Sequence, residues 1–451
     1  MKNKFSTKNK LLIKVLRKTA KSSSGITLVA LAVTIVVLII LSTVSIQAIF
    51  SDNGLLDQAG KVKEIQSNVI TSEEKSTNKL IEEYDAMTTN PPKPDNRPLV
   101  TTLTTKQEKT VIAKDRLGNQ VAVPGGFKVI AGETVQDGIV IEDDNITTYE
   151  DGTTSTGNQF VWIPVSNIDH GGNNKIIIEN TDETTSEVEI TLGRYTFAGD
   201  NGEPTLVQSG AEYNAENTDD KYTIDSLFTE KTEFQESIQL GDLTGTNATA
   251  KDLEKFIESV RKNQGYYIAR YEASYESGSE FGVGINIAYY KPASKTSIAK
   301  SRSSMNYNSG TLWNYITQGN ASIASRQMYY GDSFVDSDLM NSYAWDTAIV
   351  YIQAMGNNNY ANASDKNGTL YNAGDTTIND LKCNIYDMGT NLSEWTTEYC
   401  NYTDSYNVPC TNRGGSYNTS EYTAGRVDHR ASSSYENIGF RVRMYVINSA
   451  S

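Results

Sequence analysis

Apolar positions along this chain change period three times, and each change marks a different kind of element. Ile26 to Phe50 is an unbroken apolar run without a charged residue, long enough for a helix that crosses a hydrocarbon layer of ~30 Å. From Gly54 to Met87 the period becomes helical, with Leu55, Leu56, Ala59, Val62 and Ile65 on one stripe and charges between them, so a helical stalk is predicted over 51–87. TTNPPKPDNRP, beginning at Thr88, ends any helix and predicts an extended linker over 88–104. Beyond it the pattern is that of short strands. VAVPGGFKVI from Val121, GIVIED from Gly138 and QFVWIPV from Gln159 are apolar segments separated by Gly, Asn and Asp turns. Two helices interrupt them: an amphipathic one over Ala250 to Lys262, and SYAWDTAIVYIQAM from Ser342, with Trp345, Ile349 and Ile352 on one face. Residues 166–247 are rich in Thr, Asn and Asp around an ITLGRYTF strand and are expected to form an insertion.

The charge distribution fixes the expected orientation. Lys2, Lys4, Lys8, Lys10, Lys14, Arg17, Lys18 and Lys21 precede the apolar run without one acid, which places residues 1–25 in the cytoplasm and the remainder outside a cell membrane crossed once. The junction Gly25-Ile26-Thr27-Leu28 resembles type IV prepilins, and that resemblance implies cleavage after Gly25, Ile26 as the mature N-terminus, and other pilin-like subunits as partners. Pilins carry a glutamate at the fifth mature position, where this chain has Ala30. A net charge of -15 argues against nucleic acid as a partner. Only His170 and His429 are present, too few for a histidine-built metal site.

Near the C-terminus three blocks follow in order: YDMGTNLSEW from Tyr386, NRGGSYN from Asn412 and ENIGFRV from Glu436. They resemble the closing signature of formylglycine-generating enzyme (sulfatase-modifying factor) domains, and GYYIARYEAS from Gly265 resembles an earlier block of the same family. The resemblance implies an α+β chain whose residues 105–447 form a C-type lectin-like domain. The blocks also have their own physical logic: Gly414, Gly415 and Gly439 allow close backbone approach, and Phe440 and Val442 alternate with Arg441 and Arg443 along a strand. Enzymes of the family use two cysteines at positions occupied here by Thr419 and Ala424, so oxidase chemistry is not expected and no catalytic residue is assigned. The family's acidic turn implies structural calcium held by the side chains of Asp387 and Glu394 and by the carbonyls of Thr390 and Leu392, a hard-oxygen set. Glu272 is read as a structural acid. Cys400 and Cys410 could close a small loop as a disulfide, or all cysteines could remain reduced.

With the catalytic pair absent, the expected function is display of a binding surface. Tyr402, Tyr406, Tyr417, Tyr422 and Tyr435 lie among Asn, Ser and Asp in the C-terminal loops, a composition suited to contact with a host or bacterial surface protein or glycan. Similar domains serve as the variable proteins of diversity-generating retroelements. The alternative expectation is a structural subunit, a minor pilin or pseudopilin.

Overall fold

The computed structural model describes residues 33–40, 95–168 with short gaps between 147 and 153, 174–213, 253–275, 299–302, 312–364, 380–398 and 408–447, with isolated residues between 368 and 374. It also describes the backbone alone at 222–224, 232–239, 247–249, 311, 399 and 400. The basic leader, the Gly25–Ile26 junction, the stalk, Tyr402 and Tyr406 lie outside the described residues. Within the apolar run, 33–40 is helical, and among the described residues no helix is long and apolar enough to cross a membrane. The chain divides into two compact units, Met1–Asp95 and Asn96–Ser451.

The second unit is α+β and mostly sheet. Its central sheet has six strands in the order Val335–Leu339, Val442–Val446, Gly265–Ala269, Gln159–Pro164, Val140–Asp143 and Phe127–Ala131, all neighbours antiparallel. Its inner strands are buried along their whole length, which is why they read as apolar runs instead of alternating. VAVPGGFKVI splits into Gln120–Val123 and Phe127–Ala131 because the Pro124-Gly125-Gly126 turn separates them.

A second sheet has the order Tyr222–Ile224, Thr232–Gln239, Ser393–Cys400, Cys410–Arg413 and Arg426–His429. Asn247–Thr249 adds to its Thr232–Gln239 strand, and Ile438–Phe440 runs parallel to Ser393–Cys400. Residues 166–247 are therefore more than an insertion on the surface. Thr232–Gln239 pairs with Ser393–Cys400, and the hairpin Gly193–Ala198 with Glu203–Ser209 packs on the helix Ser342–Ala354, where Tyr195 N donates to Asp346 at 2.9 Å.

Three helices complete the unit among the described residues: α1 (Leu253–Asn263), α2 (Gln318–Gln327) and α3 (Ser342–Ala354). On α1 the apolar stripe sets Phe256 edge-on against Tyr266 and Tyr445, 5.2 and 5.9 Å between ring centroids. Asn341 caps α3 by accepting from Ala344 N at 2.8 Å. Every residue of α3 from Ser342 to Ile352 is buried, so Trp345, Ile349 and Ile352 are part of a helix covered on all sides.

The G-F-R segment does not stay in one sheet. Ile438–Phe440 belongs to the second sheet and Val442–Val446 to the central one, so the chain changes sheets at Arg441. The close approaches are real: a Cβ on Gly414 would sit 2.8 Å from the Met388 carbonyl oxygen, and Gly414 has φ +79°.

Candidate functional site

The acidic turn begins with two left-handed residues, Asp387 at φ 58° and Asn391 at φ 60°. Both are of the short polar type that tolerates this conformation, and Thr390 is not among the left-handed residues. Its bonds run inward. The Asp380 carboxylate accepts from Gly389 N at 2.9 Å, Thr390 Oγ1 at 3.2 Å and Tyr360 Oη at 2.8 Å. Glu272 accepts from Leu392 N at 2.8 Å and from Asn391 Nδ2. Glu394 is forked by Arg441, Nε to Oε2 at 3.1 Å and Nη2 to Oε1 at 2.7 Å. The same guanidinium donates to the carbonyls of Ala269 at 2.9 Å and Tyr386 at 2.7 Å, pinning the central sheet to the turn.

Three buried carboxyls, Glu272, Asp387 and Glu394, thus face one buried guanidinium. Burial is the main reason their affinity for protons rises: Asp387 is pushed up to about 8, Glu394 to about 7 against the pull of Arg441, and Glu272 well above the carboxylate range. Asp387 has one weak partner, Gly374 N at 3.4 Å.

The calcium that the family resemblance implies would draw on Asp387, Glu394 and the carbonyls of Thr390 and Leu392, and of these Glu394 already has a partner. Both oxygens of Glu394 are engaged by Arg441, whose charge repels a second cation, and the Thr390 hydroxyl is turned to Asp380. Among the described residues no group of three or more His, Cys, Asp and Glu side chains is arranged to hold a metal ion.

A second charged cluster joins α3 to the second sheet. Arg413 Nη2 meets Asp346 Oδ1 at 2.6 Å and Arg413 Nη1 meets Glu398 Oε2 at 3.0 Å. Arg426 completes the ring, Nη2 to Asp346 Oδ2 and Nε to Glu398 Oε1, both at 2.8 Å. The arginine of the R-G-G-S block is therefore structural, and Trp345 beside it donates Nε1–H to the Thr423 carbonyl at 3.0 Å. Thr419 and Ala424 lie in the loop that follows, with Thr419 Oγ1 2.7 Å from Ser416 Oγ.

Two of the candidate tyrosines have side-chain partners among the described residues. Tyr435 is 46% exposed and lies 5.3 Å from the His429 ring, which in turn packs edge-on against Trp395 at 5.4 Å. Tyr417 lies beside Glu436, and partial burial together with that carboxylate raises its phenol above the usual range. Tyr422 enters through its carbonyl, which accepts Gly425 N at 2.7 Å in the turn before Arg426–His429. One member of this face was not singled out from sequence: Tyr315, left-handed at φ 50°, donates Oη–H to Glu436 Oε2 at 3.2 Å while its N–H bonds the Tyr435 carbonyl at 3.0 Å. An aromatic residue in that backbone region is uncommon, but nothing in the WNYI segment signals it.

Cys410 is buried and its thiol is free, as is the thiol of Cys383. Burial pushes the Cys383 thiol up to about 12 and Cys410 higher, so both are inert as nucleophiles near neutral pH. The side chain of Cys400 lies outside the described residues.

No family model and no curated protein matches this chain. A solved structure described as the crystal structure of CarF covers 41% of this chain and 87% of its own, at 15% identity and a TM-score of 0.26, a likeness too slight to bear on fold or function.

Proposed function

We propose that this chain is a membrane-anchored surface protein that displays a non-catalytic, C-type lectin-like domain of the formylglycine-generating type for adhesion or ligand binding. The observation that carries the reading is the exposed Tyr435, next in the chain to Glu436, whose carboxylate has Tyr315 and Tyr417 beside it, on loops between buried strands. Support for anchoring is the basic leader before the uncharged run from Ile26, with processing after Gly25. Support for a non-catalytic role is the presence of Thr419 and Ala424 where the family's two cysteines fall. Loops of this composition also suit a retroelement-diversified binder, whose genetic mark would be a reverse transcriptase gene and a near-copy of the DNA for 400–445 beside the locus.

The test is to replace Tyr402, Tyr406, Tyr417, Tyr422 and Tyr435 by Ala in cells displaying the full chain and to measure adhesion to host and bacterial surfaces. Loss of adhesion at unchanged display supports the reading. Retained adhesion moves the function to the anchor and stalk and favours the minor-pilin alternative, which the prepilin-like junction at Gly25 motivates. Structural calcium stays tied to the family resemblance alone, because Glu394 is held by Arg441.

A further inference from the structure

We propose that the face formed by Tyr315, Tyr417, Tyr435 and Glu436 takes the cationic side chain of an arginine or lysine presented by a partner polypeptide, an inference that rests on the binding reading above. The argument begins with charge. Glu436 is exposed and has no basic partner among the described residues, and its Oε2 accepts from the Tyr315 hydroxyl at 3.2 Å with Tyr417 alongside. His429 supplies no cation near neutral pH, because burial against Trp395 and Tyr435 lowers it to about 4. Arg430 follows it in sequence but is exposed and makes no ion pair with Glu436 or Glu421 among the described residues.

The second step is the balance of donors and acceptors. Asn314 is fully buried and gives its Nδ2 to the Glu436 carbonyl at 2.6 Å, yet its Oδ1 has no hydrogen-bond partner among the described residues. Asn412, which meets His429 Nε2 at 3.3 Å, leaves its Oδ1 in the same state, and so does Glu421 its Oε2. Those three oxygens are buried, and the acceptor that the face presents to a partner is the exposed Glu436 carboxylate. Guanidinium and ammonium groups are donors only, whereas a neutral sugar hydroxyl brings as many acceptors as donors. The exposed Tyr435 ring adds the complement, since the face of a phenol ring attracts a cation. Tyr315 is held at φ 50° in this position by bonds to Tyr435 and Glu436, the kind of local strain that persists where surrounding structure enforces it.

The experiment uses cells displaying the full chain and two fluorescent probes, an arginine nonapeptide and the same peptide with citrulline at every position. Because a chain of charge -15 attracts any polycation, Glu203→Gln on an exposed strand serves as the charge-matched control for Glu436→Gln. The arginine peptide should bind wild type and Glu203→Gln alike, and bind Glu436→Gln and Tyr435→Ala about tenfold more weakly, with the citrulline peptide bound poorly by all. Equal binding of the two peptides, or Glu436→Gln behaving as Glu203→Gln, overturns the cation assignment; if Tyr435→Ala still weakens binding, the face itself stands. Capture of a neutral polysaccharide that depends on Tyr435 but not on Glu436 would likewise overturn it in favour of a glycan. If Tyr435→Ala and Tyr417→Ala bind as wild type does, the binding reading of the face fails with it.

Discussion

Two buried clusters of charge share the strand Ser393–Cys400, through Glu394 and Glu398, and are built on opposite principles. The ring of Arg413, Arg426, Asp346 and Glu398 sets two guanidinium groups against two carboxylates, each charge touching both of its opposites. The turn around Arg441 sets one guanidinium against Glu272, Asp387 and Glu394. A balanced ring meets its desolvation cost by mutual attraction, so removing any member strands a charge. An acid-rich turn cannot do so and instead keeps protons on some of its carboxyls. Burial alone does not say what a charged residue contributes; the count of opposite charges beside it does.

The sharpest way to break this contrast is Arg413→Met. It leaves Asp346 and Glu398 with one guanidinium between them inside the protein, and should cost about 3–5 kcal/mol, read as a fall in the denaturant midpoint or in surface display. Less than 1 kcal/mol lost would mean that the ring adds little beyond packing.

A matched pair of substitutions comes next. Asp346→Asn should destabilise by about 2–4 kcal/mol, because it removes a charge that two arginines depend on. Asp387→Asn should stay within about 1 kcal/mol near neutral pH, because a carboxyl pushed up to about 8 is already largely neutral there. Equal costs for the two would erase the distinction between the clusters.

The pH dependence sharpens it further. Asp387, Glu394 and Glu272 all bind protons more tightly in the folded state than in the unfolded chain. The folded protein therefore holds protons that the unfolded chain has already released, and the turn's contribution to stability should fall as pH rises from about 4 to about 8. Thermal melting across that window should show the decline, and Asp387→Asn should flatten it; an unchanged slope in the variant would place the titration elsewhere.

The smallest expected effect concerns calcium. With Glu394 forked by Arg441, adding the ion should leave the melting curve where a chelator leaves it. A clear rise would mean that the fork opens to admit the ion and that the family's cage forms after all.

What the sequence determined by itself was local and periodic. Strand segments at Val121, Gly138 and Gln159 and the helix from Ser342 were legible because apolar period and turn residues act over a few neighbours. The need for glycine at 414 was legible too, since only a residue without a Cβ fits so near the Met388 carbonyl. The roles of the charged residues were decided by the tertiary structure. Arg441 reads as one position of a continuous strand, yet it marks the change from one sheet to the other and engages both carboxylate oxygens of Glu394. Arg413 and Asp346 are 67 positions apart, Arg426 and Asp346 80, and no local pattern pairs them. Tyr315 joins Tyr435 across a separation that only folding closes. An electrostatic role depends on which opposite charges arrive within a few ångströms, and that is a property of packed strands, not of neighbours in the chain.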